Sequence, residues 1–283
     1  MLWRLKILVK LLLSHLPLGY RFWRKIGLFR LGSMDQAEYA LRIFRLHIGR
    51  AYLNGIPDGM TCLEIGPGDS VASALIAKAY GVDRIYLVDT GNYVRVDMHI
   101  YKAMSKWLQK QNIDTPDITD INTFDELLEV CNARYLTNGY ESLQSIQEGS
   151  IDFIWSHSVL EHIRKKEFFE ILCEFKRILK FDGCMSHNVD FMDHLGGSLN
   201  NLRFSEKFWE NDFIANSGFY TNRIRYSEMA QIMGKAGFRI DASNFSSWQS
   251  LPTNRSDMAM PFNELSEEEL KIRCCDYLLS PVQ

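Results

Sequence analysis

The sequence lacks the features that mark several common classes of protein. Its 283 residues contain no internal repeat, no low-complexity tract and no apolar run of the about 20 residues that a membrane-spanning helix needs. The cysteines form no CxxC or cysteine–histidine spacing, so neither a disulfide scaffold nor a zinc site is indicated; they are Cys62, Cys131, Cys173, Cys184, Cys274 and Cys275. Such a chain fits a reducing cytoplasm, and its 46% hydrophobic fraction indicates one large folded domain or at most two.

Outside the amino-terminal end, basic residues are fewer than acidic ones. Residues 1–34 hold seven lysines and arginines and no acid, which leaves 25 basic against 35 acidic residues in the remainder. Binding to nucleic acid needs a concentrated positive surface, so this acidic body argues against a nucleic-acid partner.

The basic amino-terminal stretch is also rich in large apolar side chains. Within residues 1–30, Lys10 interrupts the apolar region that a signal peptide would need, and no small-residue cleavage site follows. Two interpretations stay open: a helix lying on an anionic membrane, or a basic helix packed on the body of the protein. The first predicts a cytoplasmic protein that is peripheral to the inner face of the membrane.

From residue 58 onward, strand and helix patterns alternate. Residues 60–65 and 84–88 have the pattern of buried strands, and residues 70–80 between them have small and apolar side chains at helical spacing. The alternation returns at 151–189. We therefore predict an α/β fold, with a doubly wound, mainly parallel, Rossmann-like sheet.

The remaining segments define the predicted domain organisation. We expect amino-terminal helices in a basic segment at 1–57, the α/β domain at 58–248, and a carboxyl-terminal extension at 249–283. A cap inserted after the fifth strand, at about 190–226, breaks the alternation and is too long for an ordinary connection.

The stretch LEIGPGDS places a tight turn directly after the first strand. It lacks the third glycine of GxGxxG and the Lys-Ser/Thr pair of a P-loop, so a phosphate cradle is not favoured. Gly66 and Gly68 would let the main chain approach a ligand at the carboxyl end of the strand. Asp89 ends the second strand about 20 residues later, where a carboxylate can accept hydrogen bonds from two ribose hydroxyls.

Four stretches in order carry a resemblance to a known family: LEIGPGDS, IYLVD, GSIDFIWSHSVLEHI and LKFDGCMSHNV. Together they resemble the class I S-adenosylmethionine-dependent methyltransferases, over roughly residues 58–189 and again at 227–240. The resemblance implies that S-adenosyl-L-methionine is the cofactor. It implies as cofactor contacts Glu64, Gly66, Pro67, Gly68, Asp89, Thr90, Ser156 and His157.

One part of the sequence departs from the family pattern. The family often has an aspartate after the third strand, followed by a residue that contacts adenine, whereas this chain has YLTNGYESLQ. The adenine contact is therefore left open among Asn138, Gly139, Tyr140 and Glu141.

Polar side chains that suit proton transfer gather where the fourth and fifth strands end. We expect His187 or His194 to act as the base that deprotonates the acceptor, with Asp190 as its partner. His162 is expected to be structural. The spacing of His187, Asp190, Asp193 and His194 also permits a divalent metal, although without a third carboxylate we predict no resident metal.

The cap contains side chains that suit a glycan or its phosphate. Trp209, Phe219 and Tyr220 could stack on a sugar, and the predicted substrate contacts are Arg203, Arg223, Arg225 and Tyr220. The alternative is a capping subdomain with its own small core and structural arginines.

The cap resembles those of methyltransferases from bacterial surface polysaccharide pathways. The sequence therefore predicts O-methylation of a glycan or a lipid-linked sugar. Two alternatives are a non-catalytic protein that retains the cofactor fold and an NAD-dependent sugar-nucleotide enzyme, although a YxxxK pair is missing.

Overall fold

A computed structural model describes residues 32–282 together with Ile7 and Val9. The predicted membrane-contacting segment 1–30 thus lies almost wholly outside the described residues. No helix in the described part of the chain is long and apolar enough to cross a membrane.

Seven strands and ten helices make up the described chain between residues 37 and 281. The strands are β1 Thr61–Ile65, β2 Arg84–Val88, β3 Ala133–Leu136, β4 Ile151–His157, β5 Leu179–Asp190, β6 Phe238–Ser247 and β7 Ile272–Pro281. The helices are α1 Ala37–Ala51, α2 Ala72–Ala79, α3 Met98–Lys110, α4 Phe124–Val130, α5 Tyr140–Gln144, α6 Lys165–Ile178, α7 Glu206–Trp209, α8 Asp212–Ala215, α9 Tyr226–Lys235 and α10 Glu267–Lys271.

All seven strands form one sheet in the order β3-β2-β1-β4-β5-β7-β6. The first five of these positions are parallel, and β7 runs antiparallel between β5 and β6. Ile65 is level with Val88 on one side and with Ser156 on the other, so the carboxyl ends of the central strands meet at one edge. The predicted doubly wound, mainly parallel Rossmann-like fold is confirmed.

Helices cover both faces of the sheet, which explains why the central strands are apolar along nearly their whole length. Helices α1 to α4 pack on one face, in a core that includes Phe44 and Tyr101. Helices α6 and α9 pack on the other face, in a core that includes Phe175 and Met229.

Helix α6 shows how the sequence pattern produces this packing. Phe168, Leu172, Phe175 and Ile178 are fully buried, and their spacing of three and four residues places them on one side of the helix. Each such side chain contributes about 1.5–3 kcal/mol when buried. Arg177 in the last turn donates to the carbonyl oxygen of Ile146 at 3.0 Å and so joins α6 to the turn that precedes β4.

Helix α1 brings the amino-terminal segment onto the sheet. Phe44 contacts Trp155 edge to face, with ring centroids 5.9 Å apart, and both side chains are buried. Arg50 forms an ion pair with Asp276 of β7 at 2.5 Å. The segment predicted at 1–57 therefore contributes, through α1, to the core of the α/β domain.

Two of the segments that follow β5 are the cap and a carboxyl-terminal segment that is part of the sheet and not an extension outside the domain. Within the cap at 190–226, Trp209, Ile214 and Phe219 are buried in a small cluster that also includes Ile7 of the amino-terminal segment. The sheet continues past the boundary predicted at residue 248, because β7 from the carboxyl-terminal segment lies between β5 and β6.

Element boundaries follow the sequence closely except after β4. The strand predicted at 84–88 is found, and the stretch ARYL, whose pattern allows a short third strand, forms one at 133–136. The apolar spacing of VLEHIRKKEFFEILCEFKRILK predicts one helix from residue 159, but the helix begins only at Lys165, because residues 160–162 form a separate 3₁₀ turn. Ser158 has a φ of +54°, so the chain reverses there before the turn.

Candidate active site

The turn after β1 requires glycine for two reasons. Gly66 has a φ of +69°, in the left-handed region, and its amide donates to the carbonyl oxygen of Val88 at 2.8 Å. A Cβ at this position would lie 2.6 Å from Cγ2 of Val159. Gly68 also has a φ of +69°. The main chain therefore turns sharply at the carboxyl end of β1 and passes close against the segment that follows β4.

Asp89 joins this turn to the end of β2. Its Oδ2 accepts from the amide of Gly68 at 3.2 Å, and its Oδ1 accepts from the amide of Thr90 at 2.7 Å. Burial raises the pKa of Asp89 to about 6, against the opposing effect of these hydrogen bonds. The turn and the carboxylate thus form one crevice.

Glu64 lies beneath the turn and is buried. The hydroxyl of Ser73, on α2, donates to its carboxylate, so this pair joins β1 to the helix that follows. Burial raises the pKa of Glu64 to about 7, while hydrogen bonds from the side chains of Ser73 and Trp155 act in the opposite direction. Pro67, in the same turn, is also buried.

A cavity of about 590 Å³ continues the crevice beyond Asp89. The amide of Gly139 donates to the carbonyl oxygen of Asp89 at 2.9 Å, which places the segment after β3 beside the acid. The cavity is lined by Thr90, Thr137, Asn138, Gly139, Tyr140 and Glu141. All four residues left open for the adenine contact therefore border one space, next to the predicted ribose site.

Ser156 and His157 end β4 on opposite faces of the sheet. The Ser156 hydroxyl contacts Nδ1 of His187 at 2.7 Å, and both side chains are fully buried. Nδ1 of His157 lies 3.3 Å from Nε2 of His47, a residue of α1. Burial lowers the pKa of His157 to about 4, so it is neutral at pH 7.

The three predicted catalytic residues separate into two environments. His187 is fully buried beside Phe175 of α6, and burial lowers its pKa to about 3. In contrast, Nε2 of His194 lies 4.0 Å from Oδ2 of Asp190, and the two side chains are 29% and 20% exposed. Of the two histidines, His194 is the one that an acceptor can approach.

Asp193 lies between these residues in the sequence, and its side chain binds main-chain amides of the loop that follows β5. Its Oδ1 accepts from the amides of Leu195 and Gly196, and its Oδ2 accepts from the amide and the side chain of Asn200. The four residues considered for a metal from their spacing are thus not brought together.

The predicted substrate residues of the cap are largely occupied by protein partners. Arg223 is buried and donates to Glu206 at 2.8 Å and to the carbonyl oxygen of Phe204 at 2.6 Å. Arg225 donates to main-chain carbonyl oxygens, including that of Ile272 at 2.6 Å. This geometry favours structural roles for both arginines.

The other two predicted substrate residues also have protein partners. Arg203 forms an ion pair with Asp257 at 2.8 Å, and its side chain is 22% exposed. The Tyr220 hydroxyl donates to Glu210 at 2.9 Å, and the residue is buried. Their substrate roles stay predictions.

Two residues that the sequence did not single out lie at the site. His47 of α1 is buried, and its Nδ1 lies 2.9 Å from the Ser186 hydroxyl. Glu161 is 2% exposed and lies in the 3₁₀ turn after β4. A signal for Glu161 existed in the stretch VLEHI, but nothing in a helical pattern distinguishes His47 from any other core residue.

Comparison with known proteins agrees with this geometry. Residues 63–186 match the family described as methyltransferase domain. The matched segment starts on β1 and ends on β5, so it contains the glycine turn, Asp89 and the ends of the central strands. Over these residues the chain is similar to a methyltransferase domain, and the prediction that its cofactor is S-adenosyl-L-methionine is confirmed. No curated protein matches the sequence.

Solved structures resemble the chain at low sequence identity. Phosphoethanolamine N-methyltransferase 2 from Haemonchus contortus, in complex with S-adenosyl-L-methionine, has a TM-score of 0.49 at 13% identity, over 94% of this chain and 60% of that one. An S-adenosylmethionine-dependent methyltransferase from Listeria monocytogenes has 0.46 at 13%, over 89% and 100%. One from Archaeoglobus fulgidus has 0.46 at 14%, over 86% and 94%. Similarity at this level carries no information on the acceptor.

Proposed function

We propose that this chain transfers a methyl group from S-adenosyl-L-methionine to a hydroxyl oxygen of a glycan or a lipid-linked sugar. The observation that supports methyl transfer best is the hydrogen bond between Gly68 and Asp89, because it joins the two cofactor motifs in one crevice. Phe208 and Phe213, each about half exposed on the cap, offer apolar faces on which a sugar can stack.

The residues around Asp89 fit the cofactor. Each carboxylate oxygen has two lone pairs, so Asp89 can accept from two ribose hydroxyls while it keeps its bonds to the amides of Gly68 and Thr90. The cavity bordered by Tyr140 and Asn138 lies next to the proposed ribose site, where the adenine of the cofactor could bind. The bound cofactor supplies a sulfonium methyl group that an acceptor oxygen displaces in line.

The acceptor side must position a hydroxyl and remove its proton. Asp190 and His194 are the partly exposed pair at the end of β5, and their 4.0 Å separation can shorten when an acceptor binds. Burial raises the pKa of Asp190, with the amide of Met192 acting in the opposite direction. Base catalysis of this kind contributes about 10²- to 10⁴-fold in rate.

Two measurements test the proposed function. Calorimetry with S-adenosylhomocysteine and with NAD should show binding of the first only; tight NAD binding without the homocysteine compound would exclude a methyltransferase. Methyl-labelled cofactor, incubated with lipid and glycan fractions, should give labelled product in one of them. A chain that binds cofactor but labels no fraction would be a binding protein instead.

Attachment to the membrane is a separate part of the proposal, and it rests on the sequence alone. Residues 1–30 carry the basic and apolar side chains that suit an anionic surface. Deleting them should reduce sedimentation with liposomes that contain an anionic lipid. Unaltered sedimentation would favour the alternative in which the segment packs on the protein.

A further inference from the structure

Glu161, His162 and His194 form a cluster between the turn after β4 and the loop after β5. One potential ligand atom from each side chain lies within 4.8 Å of the other two. The two imidazole rings meet edge to face, with centroids 4.7 Å apart. Asp190 borders this histidine–carboxylate cluster, since its Oδ2 is 4.0 Å from Nε2 of His194.

Glu161 is the first indication that the cluster binds a cation. The residue is 2% exposed, and neither carboxylate oxygen accepts a hydrogen bond of regular geometry, although the amides of Glu161 and Asp190 lie near. A buried carboxylate without a strong partner is costly, and a bound cation removes that cost. The unsatisfied oxygens therefore indicate a ligand that the protein itself does not supply.

His162 is the second indication. Its Nδ1 lies 2.9 Å from the carbonyl oxygen of Tyr220. A carbonyl oxygen can only accept, so Nδ1 carries the proton and Nε2 keeps a lone pair for a metal. Imidazole ligands in metal sites are usually oriented by such a hydrogen bond from the second ring nitrogen.

The access and the spacing suit an ion. His162 is exposed and His194 is partly exposed, so an ion can enter from solvent. Ligand atoms about 2.1 Å from a zinc ion at tetrahedral angles are about 3.4 Å apart. A modest contraction of the cluster would bring all three side chains to one ion.

We propose that Glu161, His162 and His194 bind a divalent transition-metal ion of the zinc class. Two imidazoles and a carboxylate favour such an ion over Mg²⁺, which prefers oxygen ligands. Three protein ligands would leave a coordination position open, and the cluster lies beside Asp190 at the acceptor side of the site. This inference does not depend on the identity of the acceptor.

Metal binding would also redistribute the catalytic roles. An imidazole whose lone pair is held by an ion cannot accept a proton. Asp190 is then the remaining base candidate of the pair described above, and His194 acts as a ligand.

The test uses the full, untagged chain after removal of metal with a chelator. Zinc is added in competition with a chromophoric chelator, and cobalt is added separately to record its visible spectrum. We expect one zinc ion per chain. His162→Ala and His194→Ala should each weaken binding by more than about 100-fold, since loss of an orienting partner alone costs about 10- to 100-fold.

His99→Ala is the matched control, because His99 is an exposed histidine on α3, which packs on the other face of the sheet. Its zinc affinity should equal that of the unchanged chain. Absence of stoichiometric binding, or equal affinity in all three histidine variants, would overturn the proposal.

Glu161→Gln gives a second readout if the alanine variants fold poorly. It keeps the shape of the side chain and removes the carboxylate that would bind the ion. Zinc should raise the melting temperature of the unchanged chain and leave that of Glu161→Gln unaltered. A zinc-dependent rise of equal size in both proteins would contradict the assignment of Glu161 as a ligand.

Discussion

The two halves of the site are built by different means. At the ends of β1, β2 and β3, the crevice is formed by main-chain turns and by Asp89, which hydrogen-bonds to amides of two short segments. At the ends of β4 and β5, the histidine–carboxylate cluster is formed by side chains whose positions depend on the cap, as the bond from His162 to Tyr220 shows. The cofactor half is thus held together largely by main-chain hydrogen bonds at the strand ends, whereas the acceptor half depends on side-chain contacts with the cap.

The largest expected effect is on turnover at the acceptor half. His194→Ala should lower kcat by about 10²- to 10⁴-fold, because both a base and a metal ligand at this position act on the acceptor. Cofactor affinity, measured by calorimetry, should stay unchanged. Retention of full activity would exclude His194 from either role.

His187→Ala tests the contrast between the buried and the partly exposed histidine. His187 is buried and lies on the same strand as Asp190. We expect a loss of stability as its contact with Ser156 is removed, seen as a lower denaturant midpoint. A loss of turnover in a variant that is fully folded would show instead that His187 takes part in the reaction.

At the cofactor half, Gly66→Ala tests the close approach of the turn to Val159. A left-handed φ costs about 1–2 kcal/mol for a residue with a Cβ, and overpacking adds about 1–3 kcal/mol. The free energy of unfolding should fall by about 2–5 kcal/mol, measured by denaturant titration. Gly81→Ala is the control, because Gly81 has a φ of +87° but no atom within 4 Å of the added Cβ. Equal losses in the two variants would show that Val159 is not the cause.

Asp89→Asn tests the proposed ribose contact without a change of shape. Hydrogen bonds to a charged group contribute about 1.5–3 kcal/mol, so affinity for S-adenosylhomocysteine should fall by roughly 10- to 100-fold. Calorimetry measures this, and Asp182→Asn, at an exposed position on β5, serves as the control. Unchanged affinity in Asp89→Asn would remove the assignment.

The smallest effect is a dependence of cofactor affinity on pH. The pKa of Asp89 is raised to about 6, so the carboxylate that accepts from ribose is fully ionised only above that value. Affinity should rise by up to about tenfold per pH unit below pH 6 and level off above it. Glu64 lies near and has a pKa of about 7, so it can also contribute to the pH dependence of affinity. The contribution of Asp89 is the portion of that pH dependence that Asp89→Asn abolishes.

The same group affects stability with the opposite sign. Because its folded pKa exceeds the ordinary value of 3.8, the folded chain binds more protons between about pH 4 and pH 6 than the unfolded chain does. The contribution of Asp89 to stability without cofactor should therefore fall as pH rises through that window. It is measured as the change with pH in the difference in unfolding free energy between the unchanged chain and Asp89→Asn.

The fold and the cofactor half could be predicted in some detail because the sequence patterns that specify them each extend over only a few residues. The strand at 84–88 is found as the pattern indicated, and the glycine turn and Asp89 meet as their positions at adjacent strand ends require. The helix start after β4 was placed too early, since the apolar spacing continues through a 3₁₀ turn. Periodicity does not distinguish that turn from the first turn of a helix.

The acceptor half was predicted less well for an equally physical reason. The motif SHNVDFMDH places four candidate side chains close together in the sequence. In the structure, His187 is buried where an acceptor cannot reach it, and the carboxylate of Asp193 binds loop amides. Glu161 joins His194 only because the ends of β4 and β5 are adjacent in the sheet.

By itself, the sequence determined the alternating fold, the glycine turn and the acid that faces it, because periodicity and backbone sterics act over a few residues. Only the tertiary structure decided that the carboxyl-terminal strand enters the sheet, that His47 reaches Ser186, and which side chains meet at the acceptor edge. Those outcomes depend on which distant segments pack together, and packing energy is shared among too many contacts for any short stretch to specify it.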